Sequence, residues 1–145
     1  MGTGRGMSSI ERSVEIAAPV HVVYQHWSRF ESFPHFMEGV EGVEQLSTTR
    51  THWRTRIAGV ARQFDAEIVD RQPDRRIEWR SVNGPDQTGI ITFDPVTPTR
   101  TRVNLAMAFE PDGVMERMGD SSNLAERRVE GDLERFKDFV EGTQG

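Results

Sequence analysis

The chain has 145 residues, no cysteine and a formal net charge of −5. Disulfide and thiolate chemistry are excluded, and a chain of this length fits one domain able to bury roughly two thirds of its unfolded surface. Arginines interleaved with acids argue against a nucleic-acid footprint, which needs a basic face. No apolar run approaches the roughly 20 residues that span a bilayer, so no stable membrane insertion is expected, and a cytoplasmic location is.

Met1-Gly2-Thr3-Gly4-Arg5-Gly6 has no apolar stretch of the kind a secretory signal needs. Residues 1–8 read as a disordered leader, 9–142 as a single domain and 143–145 as a tail. Ile10 to Ile16 alternates as a strand does. Pro19 suits a first helical turn, and Val20, Val23, Tyr24 and Trp27 recur at helical spacing. Phe30, Phe33, Phe36 and Met37 predict a second short helix, interrupted by Pro34.

Val40 to Ser47 reads as a strand. Thr51 to Ile57, Ala61 to Asp70, Arg76 to Val82, Thr88 to Phe93 and Arg102 to Phe109 alternate more clearly. The turn signals between them are Gly59, Pro73-Asp74, Asn83-Gly84-Pro85-Asp86 and 95–99, and short separators imply an antiparallel meander. Parity puts Trp53, Thr55, Phe64, Ala66, Ile68, Ile77, Trp79, Ser81, Ile91, Phe93, Val103, Leu105 and Met107 on one face. Arg54, Arg56, Asp65, Glu67, Glu78 and Arg80 fall on the other, where opposite charges predict a solvated surface. A hairpin closing at Gly59 would set Arg54 opposite Asp65 and Trp53 opposite Ala66. Closure near Pro73-Asp74 would set Glu67 opposite Arg80. No arginine is placed firmly inward.

Asp112 can cap a last helix running to about Glu141, with Met115, Met118, Ala125, Val129, Leu133, Phe136 and Val140 on one stripe and Gly142 as its stop. The two halves of that stripe differ. Val129 to Val140 fills space, whereas Gly119, Ser122 and Ala125 leave it opposite Trp53 and Trp79. Small residues facing large aromatics read either as complementary packing or as an apolar void with a few polar groups, the requirement of a small-molecule site. The fold class is therefore α+β, with an antiparallel sheet packed on a long C-terminal helix.

Ile16-Ala17-Ala18-Pro19, Val23-Tyr24, Trp27 and Phe33-Pro34-His35-Phe36-Met37 resemble the opening of polyketide cyclase/dehydrase proteins of the START-like, Bet v 1-like group. Arg128-Val129-Glu130-Gly131-Asp132-Leu133-Glu134-Arg135-Phe136-Lys137 is similar to their close. The resemblance covers about Ser9 to Glu141. It implies a helix-grip fold: a curved antiparallel sheet of about seven strands wrapped on the last helix, with a cavity between them.

Three functions follow as expectations. The favoured one is binding of a hydrophobic or aromatic small molecule, lipid- or polyketide-like, by Trp53, Thr55, Phe64, Trp79, Ser81, Ile91, Met107, Met118, Ser122, Ala125, Phe33 and Phe36. The second is a polyketide aromatase/cyclase-dehydratase, whose acid/base work would fall to polar contacts among Ser81, Thr55, Arg128 and His35. The third is a partner-binding module without a cavity. His21, His26, His35 and His52 form no i, i+4 pair, so no metal site is expected. There is no dinucleotide fingerprint, phosphate loop or nucleophile elbow, and no cofactor is expected. Oligomeric state is left open.

Overall fold

The computed structural model describes residues 8–57, 59–83, 87–109 and 121–144, with side chains in the last segment from Glu126. Seven strands form one antiparallel sheet: β1 (Ser8–Ile16), β2 (Val40–Gln45), β3 (Arg50–Ile57), β4 (Val60–Gln72), β5 (Arg76–Ser81), β6 (Gln87–Thr97) and β7 (Arg100–Phe109). Their order is β1-β7-β6-β5-β4-β3-β2. The meander thus runs outward from β7 to β2, and β1 returns to pair with β7. Helix α1 (Val20–Ser28) and a 3-10 helix (Phe30–His35) follow β1, and α2 (Ser121–Gln144) closes the chain. This is the expected helix-grip arrangement. Among the described residues no helix is long and apolar enough to cross a membrane.

Local chemistry explains the element ends. Pro19, in extended conformation, caps α1. Pro34 lies inside the 3-10 helix, where shorter-range bonding limits the loss of its N–H. Asp74 takes φ 64° in the β4–β5 turn, a conformation its short side chain tolerates. Gly142 does not stop α2, which continues to Gln144; the Thr143 hydroxyl donates to Val140 O at 2.7 Å and helps satisfy that last turn.

The β3–β4 hairpin turns one residue earlier than the closure at Gly59 that set Trp53 opposite Ala66. Ile57 pairs with Val60, so Trp53 faces Phe64, Arg54 faces Gln63 and His52 faces Asp65. Gly59 at φ 79° supplies the left-handed conformation a two-residue turn demands. Glu67 does face Arg80, and their side chains meet at 3.2 Å. Arg56–Glu41, Arg76–Asp70 and Arg102–Glu15 likewise form ion pairs on the outer face at 3.0, 2.8 and 3.0 Å.

The core lies between the concave face and the helices. Ile16, Val23, Ile77, Ile91, Val103, Phe136 and Val140 have at most 1% exposure, so the closure by α1 and the C-terminal half of α2 is complete there. A bulge between Ile68 and Asp70 reverses β4 parity near its end and brings Arg71 opposite Ile77. The Arg71 guanidinium then stands 5.7 Å over the Phe30 ring, a cation–π contact.

Candidate functional site

Two kinds of surface make up the concave side. Beneath α1 and the 3-10 helix it is aromatic and closed. Trp27 meets Phe33 at 4.9 Å and Phe136 at 5.1 Å between ring centres. Phe33 continues to Trp53 at 5.5 Å, and Trp53 stacks on Phe64 at 6.0 Å with planes 5° apart. Phe33 thus links the helices to the sheet, as Tyr24 does through Phe93 at 5.5 Å. The indole N–H of Trp53 donates to Thr51 Oγ1 at 2.8 Å, and that buried hydroxyl faces Ala66 O at 3.4 Å, which fixes the ring and satisfies its polar atom.

Further along the strands the face is less covered. Trp53, Phe64, Trp79, Ser81 and Met107 keep partial exposure. Trp79 lies flat: a Cβ built on Gly89, its cross-strand partner, would come within 2.2 Å of the indole Cζ2. The glycine makes room for the ring against the sheet. Thr55 is buried at 8%, and Ser81 Oγ accepts from Gln87 N–H at 3.0 Å.

The expected site residues divide accordingly. Trp53, Thr55, Phe64, Trp79, Ser81 and Met107 share the inner face of four strands, β3, β4, β5 and β7. Ile91 lies on the same face, and Phe33 and Phe36 come from the 3-10 helix and its C-cap; at 0, 2 and 2% exposure all three form packing beneath the surface. Met118 and the side chains of Ser122 and Ala125 lie outside the described residues. Arg128 donates to Glu38 O at 3.2 Å and stands 3.5 Å from the Glu38 carboxylate. His35 is exposed and stacks on Phe139 at 5.9 Å. Neither is grouped with Ser81.

Arg128 belongs to a polar stripe on α2 that holds the loop before β2. Arg135 Nε donates to Phe36 O at 2.8 Å, and its Nη2 meets Asp132 at 2.5 Å. Asp132 also accepts from the Glu38 N–H at 3.1 Å. Burial pushes the Asp132 carboxyl up, against the opposing pull of Arg135 and that N–H. His26 is pushed down, by burial first and Arg29 second. Its Nε2 lies 3.2 Å from Thr143 Oγ1. Because that hydroxyl already donates to Val140 O, the imidazole is the donor.

Besides Arg71, sequence reasoning missed two further inward arginines. Arg62 pairs with Thr55 on the inner face, beside Phe64, and its Nε is buried. Arg12 pairs with Leu105, between the inward Ile10 and Val14. Its Nη2 donates to Glu126 Oε1 of α2 at 2.9 Å. Glu126 precedes Val129 by three positions and Leu133 by seven, so it continues the sheet-facing stripe. Strict alternation from Ile10 to Ile16 was the available signal, because it already assigns Arg12 to the apolar parity.

Residues 16–141 match the family described as polyketide cyclase / dehydrase and lipid transport. The chain belongs to this family. An uncharacterized 17.2 kDa protein of Streptomyces lincolnensis is 47% identical over 136 residues, spanning 93% of this chain and 91% of the relative. Solved structures share the fold at lower identity. A protein of Thermus thermophilus superposes with TM-score 0.80 at 21% identity, over 94% of this chain and 99% of that one. The Zhui aromatase/cyclase of a Streptomyces gives 0.74 at 18%, over 94% and 93%. A START superfamily protein of Mycobacterium smegmatis gives 0.72 at 16%, over 94% and 96%. Membership of the polyketide cyclase / dehydrase and lipid transport family supports a role in binding or cyclising a ligand, and the geometry bears on which.

Proposed function

We propose that the protein binds a hydrophobic or aromatic small molecule, lipid- or polyketide-like, against the concave face. One observation carries this reading. Among the described residues, the large side chains of α2 that seal the face, namely Leu133, Phe136 and Val140, do so on the α1 side. Trp53, Phe64, Trp79 and Met107 keep accessible surface beyond that seal. A partly exposed wall of rigid aromatics with a few fixed hydroxyls is the lining a small apolar ligand requires. Flat ring faces such as that of Trp79 favour a planar or extended partner over a bulky one.

Cyclisation with dehydration is the second reading, supported by the presence of Thr55, Ser81 and Arg62 on the same face. It needs a group that takes an α-proton and another that protonates the leaving oxygen. His35, exposed against Phe139, does not share that face, so the binding reading is preferred.

Two measurements test this. Native mass spectrometry of protein purified from its own host is expected to show a co-purifying apolar molecule, and Nile red is expected to bind with a blue-shifted emission that Trp79→Ala weakens. Repeated absence of both signals would remove the binding and cyclase readings together and leave a partner-binding module. Turnover of a poly-β-ketone substrate that is lost in Ser81→Ala would favour the cyclase.

A further inference from the structure

The far end of the concave face carries charge in an otherwise apolar setting. Arg12 projects from β1 between Ile10 and Val14 and opposite Leu105; Ile10 and Leu105 are each 4% exposed. A guanidinium stays charged at any ordinary pH, and a charge beside apolar walls requires a partner. Glu126, on the sheet-facing stripe of α2, supplies it at 2.9 Å. The contact uses little of the available fork. Nη2 makes one hydrogen bond to Oε1, while Nη1 turns back to the carbonyl of Glu11 at 2.8 Å. Both side chains keep 34% exposure, so another carboxylate could reach the guanidinium. Arg62 adds a second inward cation from β4.

From this geometry we infer that the ligand is an amphiphile with an anionic oxygen head, received by Arg12, and that Glu126 holds the place of that head when the site is empty. The inference rests on the binding function proposed above and narrows its ligand class. Apolar contact with Trp79, Met107 and Phe64 would take the body of such a molecule. A carboxylate arriving at Arg12 forms the bidentate contact that guanidinium geometry favours and displaces Glu126. Loading thereby releases a tie between β1 and α2.

The test uses the full chain and displacement of bound Nile red by dodecanoic acid, methyl dodecanoate and dodecanol, at a pH where the acid is ionised. Wild type is expected to bind the acid about tenfold or more tightly than the ester or alcohol, the worth of one charge-assisted hydrogen bond. Arg12→Met should erase that preference, weakening the acid far more than the ester or alcohol. Glu126→Gln, which keeps Arg12 and removes its competitor, should strengthen acid binding severalfold. Equal affinities in wild type, or a preference that survives Arg12→Met, would overturn the assignment while leaving apolar binding intact. Acid binding unchanged or weakened in Glu126→Gln would overturn the place-holding role. Failure of all three compounds and of Nile red to bind would overturn the binding function itself.

Discussion

Trp79 and Gly89 face each other across β5 and β6, and the indole occupies the position where a side chain at 89 would stand. A Cβ there would lie 2.2 Å from Cζ2 and 2.5 Å from Cε2, both inside the rigid ring. Gly89→Ala must therefore move the whole indole off the sheet. Overpacking of this kind costs about 1–3 kcal/mol. A lower melting temperature and a shifted tryptophan emission, absent when Trp79→Phe is already present, are the expected outcome. An unchanged melt would mean that the ring rotates freely into the concave space.

The seal made by α2 predicts a steep contrast along the helix. Phe136 has no exposure and packs on Trp27 and on Phe36, 5.0 Å away. Phe136→Ala is expected to destabilise by about 3–5 kcal/mol, the range for a buried aromatic leaving a cavity. Glu126→Ala, where the side chain is partly exposed, is expected to cost at most about 1 kcal/mol. Urea denaturation of the two variants checks the ordering, and similar losses would show that α2 is packed evenly from end to end.

Arg135 ties the same helix to the chain before β2. It donates to Phe36 O and binds Asp132, which in turn accepts from Glu38 N–H. Truncation to Ala strands a part-buried carbonyl and a mostly buried carboxylate, so a loss of about 1–3 kcal/mol is expected. Arg135→Lys should recover little of it, because one ammonium does not reproduce the two divergent N–H directions. Amide exchange at Glu38 provides a local readout: its protection should fall in both variants, and protection unchanged in Arg135→Ala would show that the loop is held by other contacts.

How legible this was differs from residue to residue. The alternation of Ile77, Trp79, Ile91, Phe93, Val103 and Leu105 has a physical cause, the pleat, and it sorted the faces correctly. Turning the β3–β4 hairpin one residue earlier exchanged Ala66 for Phe64 opposite Trp53, yet each residue kept its face. The bulge between Ile68 and Asp70 carries no glycine or proline to announce it, so the inward Arg71 over Phe30 was not readable. Gly89 lies within the strand read over Thr88 to Phe93, and its role depends on the rotamer of a tryptophan on another strand. Arg12 could have been found, because parity alone placed it, but the charge at an apolar position was absorbed into an otherwise regular pattern. Whether Trp53 and Trp79 face a filled or an open space turns on α2 before Glu126, where pairwise alternation gives no guidance.

His52 supplies a prediction in pH. On the outer face its Nδ1 lies 2.6 Å from Asp65 Oδ1 and its Nε2 lies 3.0 Å from Gln63 Oε1. Acceptors on both nitrogens favour the doubly protonated ring. The Asp65 hydrogen bond, then that of Gln63, holds the imidazole above its ordinary range, with burial opposing and Asp65 and Glu44 charges assisting. A group whose pKa rises on folding stabilises the fold fully below its unfolded value, about 6.5. That contribution is lost as pH climbs through the raised folded value. The pair keeps partial exposure, 29% and 21%, so solvent screening holds the effect to at most about 1 kcal/mol. Comparing wild type with His52→Gln by thermal melts across neutral and mildly alkaline pH, the stability advantage of wild type is expected to shrink as pH rises. An advantage that grows with pH, or stays level through that window, would show that the folded state prefers the neutral imidazole.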